Sequence, residues 1–277
     1  MSDVAVTLAE VRPETPDAVT LKLDLGGAPF PYRPGQYVEI DPHQFPELAE
    51  RIAAIEAAKG TPESPRGFSL CSDGGDARFL EISVKEDKGR KFPPVLSPWL
   101  VRRARPGLRI SLSGPQGRYC LPESPPPASG FLHLCAGSGV APNRGMIRDA
   151  LRRGWSQRHL LVLQNRTDAD VFYKSEWPAL ASAHPGRLKV RHVFSVTSKE
   201  HVSVDVVRRE MEGFLDGATS MGLVCGPNRP REVAGPDGST RREPGFCDLW
   251  CGTPRKKVDG FLARLGFTPD RILTEMW

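Results

Sequence analysis

The chain changes rhythm once, and that change constrains its fold more than any other feature. The hinge is Pro122-Glu123-Ser124-Pro125-Pro126-Pro127-Ala128-Ser129-Gly130, an extended, semi-rigid stretch that reads as a linker. Before it, residues 4–8, 19–23, 37–40, 79–84 and 108–112 are strand-like, each bounded by Gly, Pro or Asp. Several short strands with such punctuation favour an antiparallel β-barrel or sandwich. Residues 43–65 interrupt them, and the Ala- and Glu-rich core at 45–59, with Leu48, Ile52 and Ile55 at helical spacing, predicts an inserted helix. After the linker, strand-like 131–135, 159–163, 188–194 and 222–225 alternate with helix-like 143–153, 173–183, 204–214 and 254–265. Alternation of this kind predicts an α/β domain with a parallel sheet under covering helices. The expected organisation is thus a barrel over 1–127 with a helical insertion near 43–65, then an α/β domain over 128–277 with a loop insertion near 228–252.

A length of 277 residues suits two domains of ordinary size. Hydrophobic residues make up 39% and charged residues 26%, which excludes a disordered chain. No apolar run approaches the ~18 residues needed to span a bilayer, and the first ten residues lack the basic and apolar regions of a secretory signal. A cytoplasmic monomer without a membrane partner is expected. The six cysteines (Cys71, Cys120, Cys135, Cys225, Cys247 and Cys251) are scattered. They do not form the Cys-x4-Cys-x2-Cys of a plant-type iron–sulfur site, and Cys247 and Cys251 lack a second close pair, so no metal site is expected. Any one-electron carrier must then be another protein. The net charge is +5. Arg102, Arg103, Arg105 and Arg109, with Lys85, Lys88, Arg90 and Lys91 nearby, are either a solvated surface or a docking face for an acidic partner. Aromatic platforms do not interleave with these cations, which argues against nucleic acid.

Two short motifs carry chemistry. Arg66-Gly67-Phe68-Ser69 sets a cation, a flexible backbone, an aromatic face and a hydroxyl within four residues. Its guanidinium can hold a pyrophosphate through two parallel hydrogen bonds. Phe68 can lie against a flat ring, and Ser69 can offer its hydroxyl to a ring nitrogen. The same residues also occur in ordinary turns. The second motif, Cys135-Ala136-Gly137-Ser138-Gly139-Val140-Ala141-Pro142, joins an apolar run to a helix-like stretch. Such a glycine-rich strand-to-helix turn binds phosphate at the helix N-terminus, although it departs from Gly-x-Gly-x-x-Gly.

Arg33-Pro34-Gly35-Gln36-Tyr37-Val38 enters a strand about thirty residues before Arg66. An Arg-x-aromatic-Ser after a Pro-Gly-Gln-aromatic strand resembles the flavin-binding barrel of the ferredoxin–NADP reductase family. Further matches run nearly the whole chain. Lys91 to Leu100 resembles the family's serine-containing phosphate loop, without its paired glycines, and places Ser97 at a helix start where an N-cap is the competing role. Ser113-Gly114-Pro115-Gln116-Gly117 resembles the last barrel strand and turn. Gly137 to Pro142 resembles the family's Gly-x-Gly-x-x-Pro. Cys225-Gly226-Pro227 resembles its Cys-Gly-x-Pro turn, which Trp250-Cys251-Gly252-Thr253-Pro254 nearly repeats. The final Glu275-Met276-Trp277 resembles the terminal Glu-x-aromatic of some members.

The resemblance implies a flavoprotein oxidoreductase passing electrons between NADPH and a separate carrier, a ferredoxin or flavodoxin, via FAD. A reductase feeding an oxygenase directly, a free-flavin reductase, a NAD-preferring reductase and a non-catalytic flavin-binding subunit are the rivals. It implies Arg66 on the FAD diphosphate, Phe68 and Trp277 flanking the isoalloxazine, Ser69 near N5, and flavin contacts from Gly67, Ile82, Val84 and Ser97. It further implies NADP contacts from Gly137, Ser138, Gly139, Pro142, Arg166, Lys199, Cys225 and Gly226. Arg166 is the candidate for the 2′-phosphate, and Lys199 alone stands where more basic residues usually follow. Ser69, Cys225 and Glu275 are the candidate catalytic groups, Glu275 relaying a proton toward N5 through Ser69, with Cys251 the alternative to Cys225.

Overall fold

The computed structural model describes residues 2–89, 92, 94–234, 240–253 and 258–276. Trp277, Arg90, Lys91 and Pro254 lie outside them. Two compact units are present: residues 1–121 with 144–152, and residues 122–143 with 153–277.

The first unit is an antiparallel six-stranded sheet of β1 (Ser2–Thr15), β2 (Ala18–Asp24), β3 (Tyr37–Ile40), β4 (Arg66–Ser69), β5 (Phe79–Lys85) and β6 (Arg109–Gln116). Its order is β4-β3-β6-β1-β2-β5. Leu70 bridges Ile82, and the Cys71 amide donates to the Glu81 carbonyl at 2.8 Å, so the two edges meet and the sheet closes. Val4, Val6 and Leu8 of β1 and Ile110 and Leu112 of β6 are buried, while Ala5, Thr7, Arg109 and Ser111 are exposed. That period of two is what one apolar face of a pleated strand requires.

The inserted helix is present as α1 (Ala49–Lys59). It begins later than the predicted 45–59 because Pro42 and Pro46 each open a single 3-10 turn first, at Pro42–Gln44 and Pro46–Leu48. Gly60, left-handed at φ 73°, closes it, a conformation glycine adopts without Cβ strain. Phe45, Leu48, Ile52 and Ile55 are buried in the same core as Leu96 and Leu100 of α2 (Leu96–Arg103). The rings of Phe45 and Trp99 lie 4.5 Å apart. The insertion is therefore part of the barrel core rather than an appendage on it.

The second unit holds a five-stranded parallel sheet in the order β15-β10-β7-β8-β9. The strands are β7 (Gly130–Ala136), β8 (Arg158–Asn165), β9 (Leu188–Phe194), β10 (Met221–Gly226) and β15 (Ile272–Met276). β7 is buried along its whole length, as a central parallel strand covered on both faces must be. Its helices are α4 (Glu176–Ala183), α5 (Val204–Met211) and α6 (Phe246–Cys251), while α3 (Val140–Arg152) starts in this unit and is counted with the first from residue 144.

Two expectations need correction here, and one strand was not expected. The segment 228–252 is not a loop throughout: it carries a hairpin of β11 (Arg231–Ala234) and β12 (Thr240–Glu243), then α6. The helix predicted at 254–265 is absent from the described residues in that range. Two-residue strands β13 (Gly252–Thr253) and β14 (Val258–Asp259) pair instead, followed by a 3-10 turn at Ala263–Leu265. Gly260 is the cause: a Cβ there would lie 2.2 Å from both the Gly252 nitrogen and the Trp250 oxygen, so two chain segments cross where a helix would need side-chain room. Finally, the C-terminal residues form β15 on an edge of the sheet, too short an apolar alternation to announce itself.

Candidate functional site

Arg66-Gly67-Phe68-Ser69 forms β4, paired with β3 so that Tyr37 faces Ser69, Val38 faces Phe68 and Glu39 faces Gly67. Strand alternation sets Arg66 and Phe68 on one side and Gly67 and Ser69 on the other. A Cβ on Gly67 would lie 3.2 Å from the Tyr37 ring, and one on Gly117 would lie 2.9 Å from it. The Tyr37 ring thus lies along two glycines, with its hydroxyl donating to Gln116 Oε1 at 3.2 Å. Tyr37 is an aromatic surface beside Ser69 that the four-residue motif alone did not single out. Phe68 is half-buried and packs on the barrel core. Ile82 and Val84 are fully buried in that core. Their side chains pack the barrel interior, so any flavin contact from these two residues would come from the backbone.

The Arg66 side chain is 51% exposed, and one of its nitrogens donates to Glu63 Oε2 at 3.2 Å. The rest of its fork faces solvent, which fits a diphosphate. Arg33 is committed to structure, donating to the Leu121 carbonyl through Nε at 3.2 Å and Nη2 at 2.5 Å. Ser97 is not the N-cap of α2, a position Val95 holds. Its hydroxyl, within the first turn, accepts from the Asp87 amide at 3.0 Å.

In the second unit, Gly137 to Gly139 form a 3-10 turn that runs into α3, and Pro142 sits in the first helical turn. Gly137 is left-handed at φ 54° with nothing within 4 Å of where a Cβ would stand, so the backbone is open to a close approach. Proline in the first turn costs no hydrogen bond because that amide has no partner anyway. At the end of neighbouring β8, Asn165 is 5% exposed and both amide atoms lack a hydrogen-bond partner among the described residues. A buried amide of that kind at the carboxyl edge of a parallel sheet fits a nucleotide ligand. Arg166 follows it and is exposed. The Ser195 and Val196 amides donate to the Asn165 and Arg166 carbonyls, each at 2.9 Å. Lys199, exposed and left-handed at φ 52°, lies on that same loop.

Cys225, Cys135 and Glu275 form one row across three strands: Cys225 pairs with Cys135 on β7 and with Glu275 on β15. Cys225 is fully buried, and burial raises its thiol well above the usual range, with Cys135 and Glu275 adding to the effect. Burial likewise raises the Glu275 carboxyl. Cys225 is therefore a neutral thiol, and the Glu275 carboxyl beside it takes up a proton more readily than a free carboxyl. Gly226 is confined: a Cβ would lie 2.9 Å from Phe246 and 3.2 Å from the Ala136 Cβ. Cys251 ends α6 and pairs with Thr274 Oγ1 at 2.9 Å, off this row. Cys247 donates to the Gly226 and Glu275 carbonyls at 3.3 and 3.4 Å, fastening α6 to the ends of β10 and β15.

Beneath the glycine turn lies a buried polar chain. Asn143 donates to the Gly139 carbonyl at 3.0 Å, and its Oδ1 is 2.7 Å from His133 Nδ1. His133 Nε2 is in turn 3.1 Å from His159 Nδ1. Isolated histidines carry no pattern signal, and nothing in the sequence announced this chain. Among the described residues, no group of three or more His, Cys, Asp or Glu could hold a metal ion. No helix among them is long and apolar enough to cross a membrane.

A closed antiparallel barrel and a parallel sheet whose carboxyl edge carries a glycine turn define a two-domain fold, a β-barrel unit and a nucleotide-binding-type α/β unit. Residues 134–232 match the oxidoreductase NAD-binding domain family. Its two-domain fold is that of the ferredoxin–NADP reductase type. The chain is 35% identical over 187 residues to an NADPH oxidoreductase of Mycobacterium tuberculosis, covering 65% of this chain and 43% of that protein. It is 32% identical over 186 residues to the ferredoxin reductase component of a 3-ketosteroid-9-alpha-monooxygenase from the same species, covering 67% and 48%. The chain thus spans somewhat under half the length of these relatives. Its fold matches a ferredoxin–NADP+ reductase from Plasmodium falciparum solved with 2′P-AMP, with a TM-score of 0.69 over 99% of this chain and 96% of that one, at 14% identity.

Proposed function

We propose that this chain is a flavoprotein reductase that draws electrons from NADPH through FAD and delivers them singly to a separate ferredoxin or flavodoxin. The observation that carries this reading is the row Cys135–Cys225–Glu275 at the carboxyl edge of the parallel sheet, with the glycine turn at its head. Ligands of open α/β sheets bind at that edge. The chemistry FAD would supply there is the conversion of one hydride, a two-electron donor, into two single-electron deliveries. The chain's own groups orient and shield: Arg66 holds the diphosphate, while Ser69 and the Tyr37 ring border the flavin. Cys225, neutral and small, marks the nicotinamide end of the sheet edge without competing as a nucleophile, and Glu275 beside it is the candidate proton-holding group. Trp277, Phe68, Gly67 and Ser97 complete the flavin contacts in this reading, and Gly137, Ser138, Gly139, Pro142 and Gly226 line the nicotinamide nucleotide.

The preference for NADPH rests on Arg166 at the end of β8, with Lys199 on the adjoining loop. Anaerobic titration tests the core of the reading: one equivalent of NADPH bleaches the bound flavin. A flavin that stays oxidised identifies a non-catalytic subunit instead. Arg166→Ala should erase most of the NADPH advantage over NADH, by about tenfold for loss of one charge-assisted contact. An unchanged ratio points to a NAD-preferring enzyme.

The monooxygenase-linked relative favours a second reading, in which an oxygenase receives the electrons. Stopped-flow reduction separates the acceptors. Reduction of free FAD or FMN as fast as that of any ferredoxin would sink the carrier reading.

A further inference from the structure

The insertion between β3 and β4 touches both segments assigned to the flavin phosphates. Arg51 of α1 donates to the Pro94 carbonyl at 3.0 Å, beside the serine loop. Lys59, the last residue of α1, places its ammonium 5.7 Å from the Phe92 ring centroid. Just beyond the helix, Glu63 has its side chain only 4% exposed and lies between two cations. Its Oε1 is taken by Lys59 Nζ, and its Oε2 accepts from Arg66 Nη2 at 3.2 Å. The Glu63 backbone is fixed as well, its amide donating to Glu56 Oε1 at 2.8 Å.

A carboxylate beside Arg66 would ordinarily oppose phosphate binding, because a lone Glu–Arg pair is neutral. Here the trio of Lys59, Glu63 and Arg66 keeps one net positive charge. We propose that Lys59 is a specificity-determining residue of the flavin phosphate site: by sharing the Glu63 carboxylate it leaves the Arg66 fork charged and open to a phosphate. In this proposal the insertion contributes to that site as well as to the barrel core. Burial pushes the Glu63 carboxyl up, but Lys59 and Arg66 outweigh it and hold it low, so the carboxylate stays ionised at neutral pH. Loss of Lys59 has two effects of the same sign. It removes a cation near the phosphate, and it leaves Glu63 to neutralise Arg66 alone. This inference rests on the flavin reading above.

The test uses the full chain stripped of flavin, with binding of FAD, FMN and riboflavin followed by quenching of flavin fluorescence at low salt. Lys59→Met keeps an unbranched side chain and removes the charge. It should weaken FAD and FMN about tenfold, roughly the loss expected of one charge-assisted interaction, and leave riboflavin, which has no phosphate, unchanged. Glu63→Gln should not weaken FAD, and Lys59→Met with Glu63→Gln should recover most of the loss. Thermal melts of each apo variant establish that it is folded. Equal weakening of riboflavin and FAD would make Lys59 a packing residue and overturn the proposal. So would an undiminished loss in the Glu63→Gln background, or no loss at all. A wild-type chain that binds none of the three flavins overturns the underlying flavin reading instead.

Discussion

At the scale of residues, the buried chain under the glycine turn has only one consistent proton arrangement. The Gly139 carbonyl can only accept, so it fixes the Asn143 amide with its NH2 toward Gly139 and its oxygen toward His133. That oxygen requires a proton on His133 Nδ1. His133 Nε2 is then a lone pair, which requires a proton on His159 Nδ1. His159 Nε2 is left as a buried acceptor with no partner among the described residues. Both imidazoles are therefore neutral Nδ1–H tautomers, the form less common in free histidine. Nitrogen-15 NMR reads this directly, and a His133 protonated at Nε2 contradicts the chain. Burial lowers the His133 pKa to about 4, with the Asn143 bond opposing it. The unfolded imidazole takes its proton near pH 6.5, so the unfolded state binds more protons between those values. Stability falls as pH drops through that window, by up to about 3 kcal/mol from His133 alone. Urea melts at pH 7 and pH 4.5 measure the loss; equal midpoints refute it.

At the scale of elements, the insertion has its own pH dependence. His43 Nδ1 lies 2.6 Å from Asp41 and Nε2 lies 2.8 Å from Glu56, clasping the 3-10 turn to α1. The Asp41 bond, then the Glu56 bond, raise the His43 pKa above its unfolded value. A raised base stabilises the fold fully below the unfolded pKa of ~6.5 and loses that contribution as pH rises through the folded value. The clasp is solvent-exposed, so its worth is small: melting of the wild type should fall by about 1–2 °C relative to His43→Gln between pH 6 and pH 9. Parallel melting curves for the two proteins would show that the clasp contributes nothing.

Elements of this kind also mark where sequence reading succeeds. β3 and β9 were legible to the residue because alternation or apolar runs are local properties. β4 was legible as a motif and not as a strand, since Arg66-Gly67 carries no β signal and its pairing depends on distant β3. The helix expected at 254–265 misled because the Gly260 crossing is a tertiary fact. In the candidate site, glycines and the Cys225 turn were visible through their motifs. Tyr37 was visible as the aromatic of its strand motif, whereas the roles of Glu63, Lys59 and Asn165 come from what the fold sets beside them.

At the scale of the whole molecule, charge decides how a carrier would dock. The net charge is +5, and the arginines around α2 and β6 are not equivalent. Arg102 is engaged with Glu86, through Nε at 3.0 Å and Nη2 at 2.5 Å. Arg105 folds back onto the Ala104 and Arg102 carbonyls at 2.7 and 3.2 Å. Arg103 and Arg109 are exposed, and they are the members of the group best placed to meet an acidic surface. If an acidic ferredoxin docks there, steering accelerates the encounter and is screened by salt over a Debye length of ~8 Å at physiological ionic strength. Arg103→Glu with Arg109→Glu should lower kcat/KM for an acidic ferredoxin roughly tenfold at low salt, with the deficit shrinking at high salt. Bleaching of the flavin by NADPH should be unchanged in the same protein, because that step precedes docking. Stopped-flow measurement of both half-reactions separates the outcomes. An equal loss in both means that the substitutions disturbed the barrel, and a salt-independent carrier rate means that the carrier uses another face.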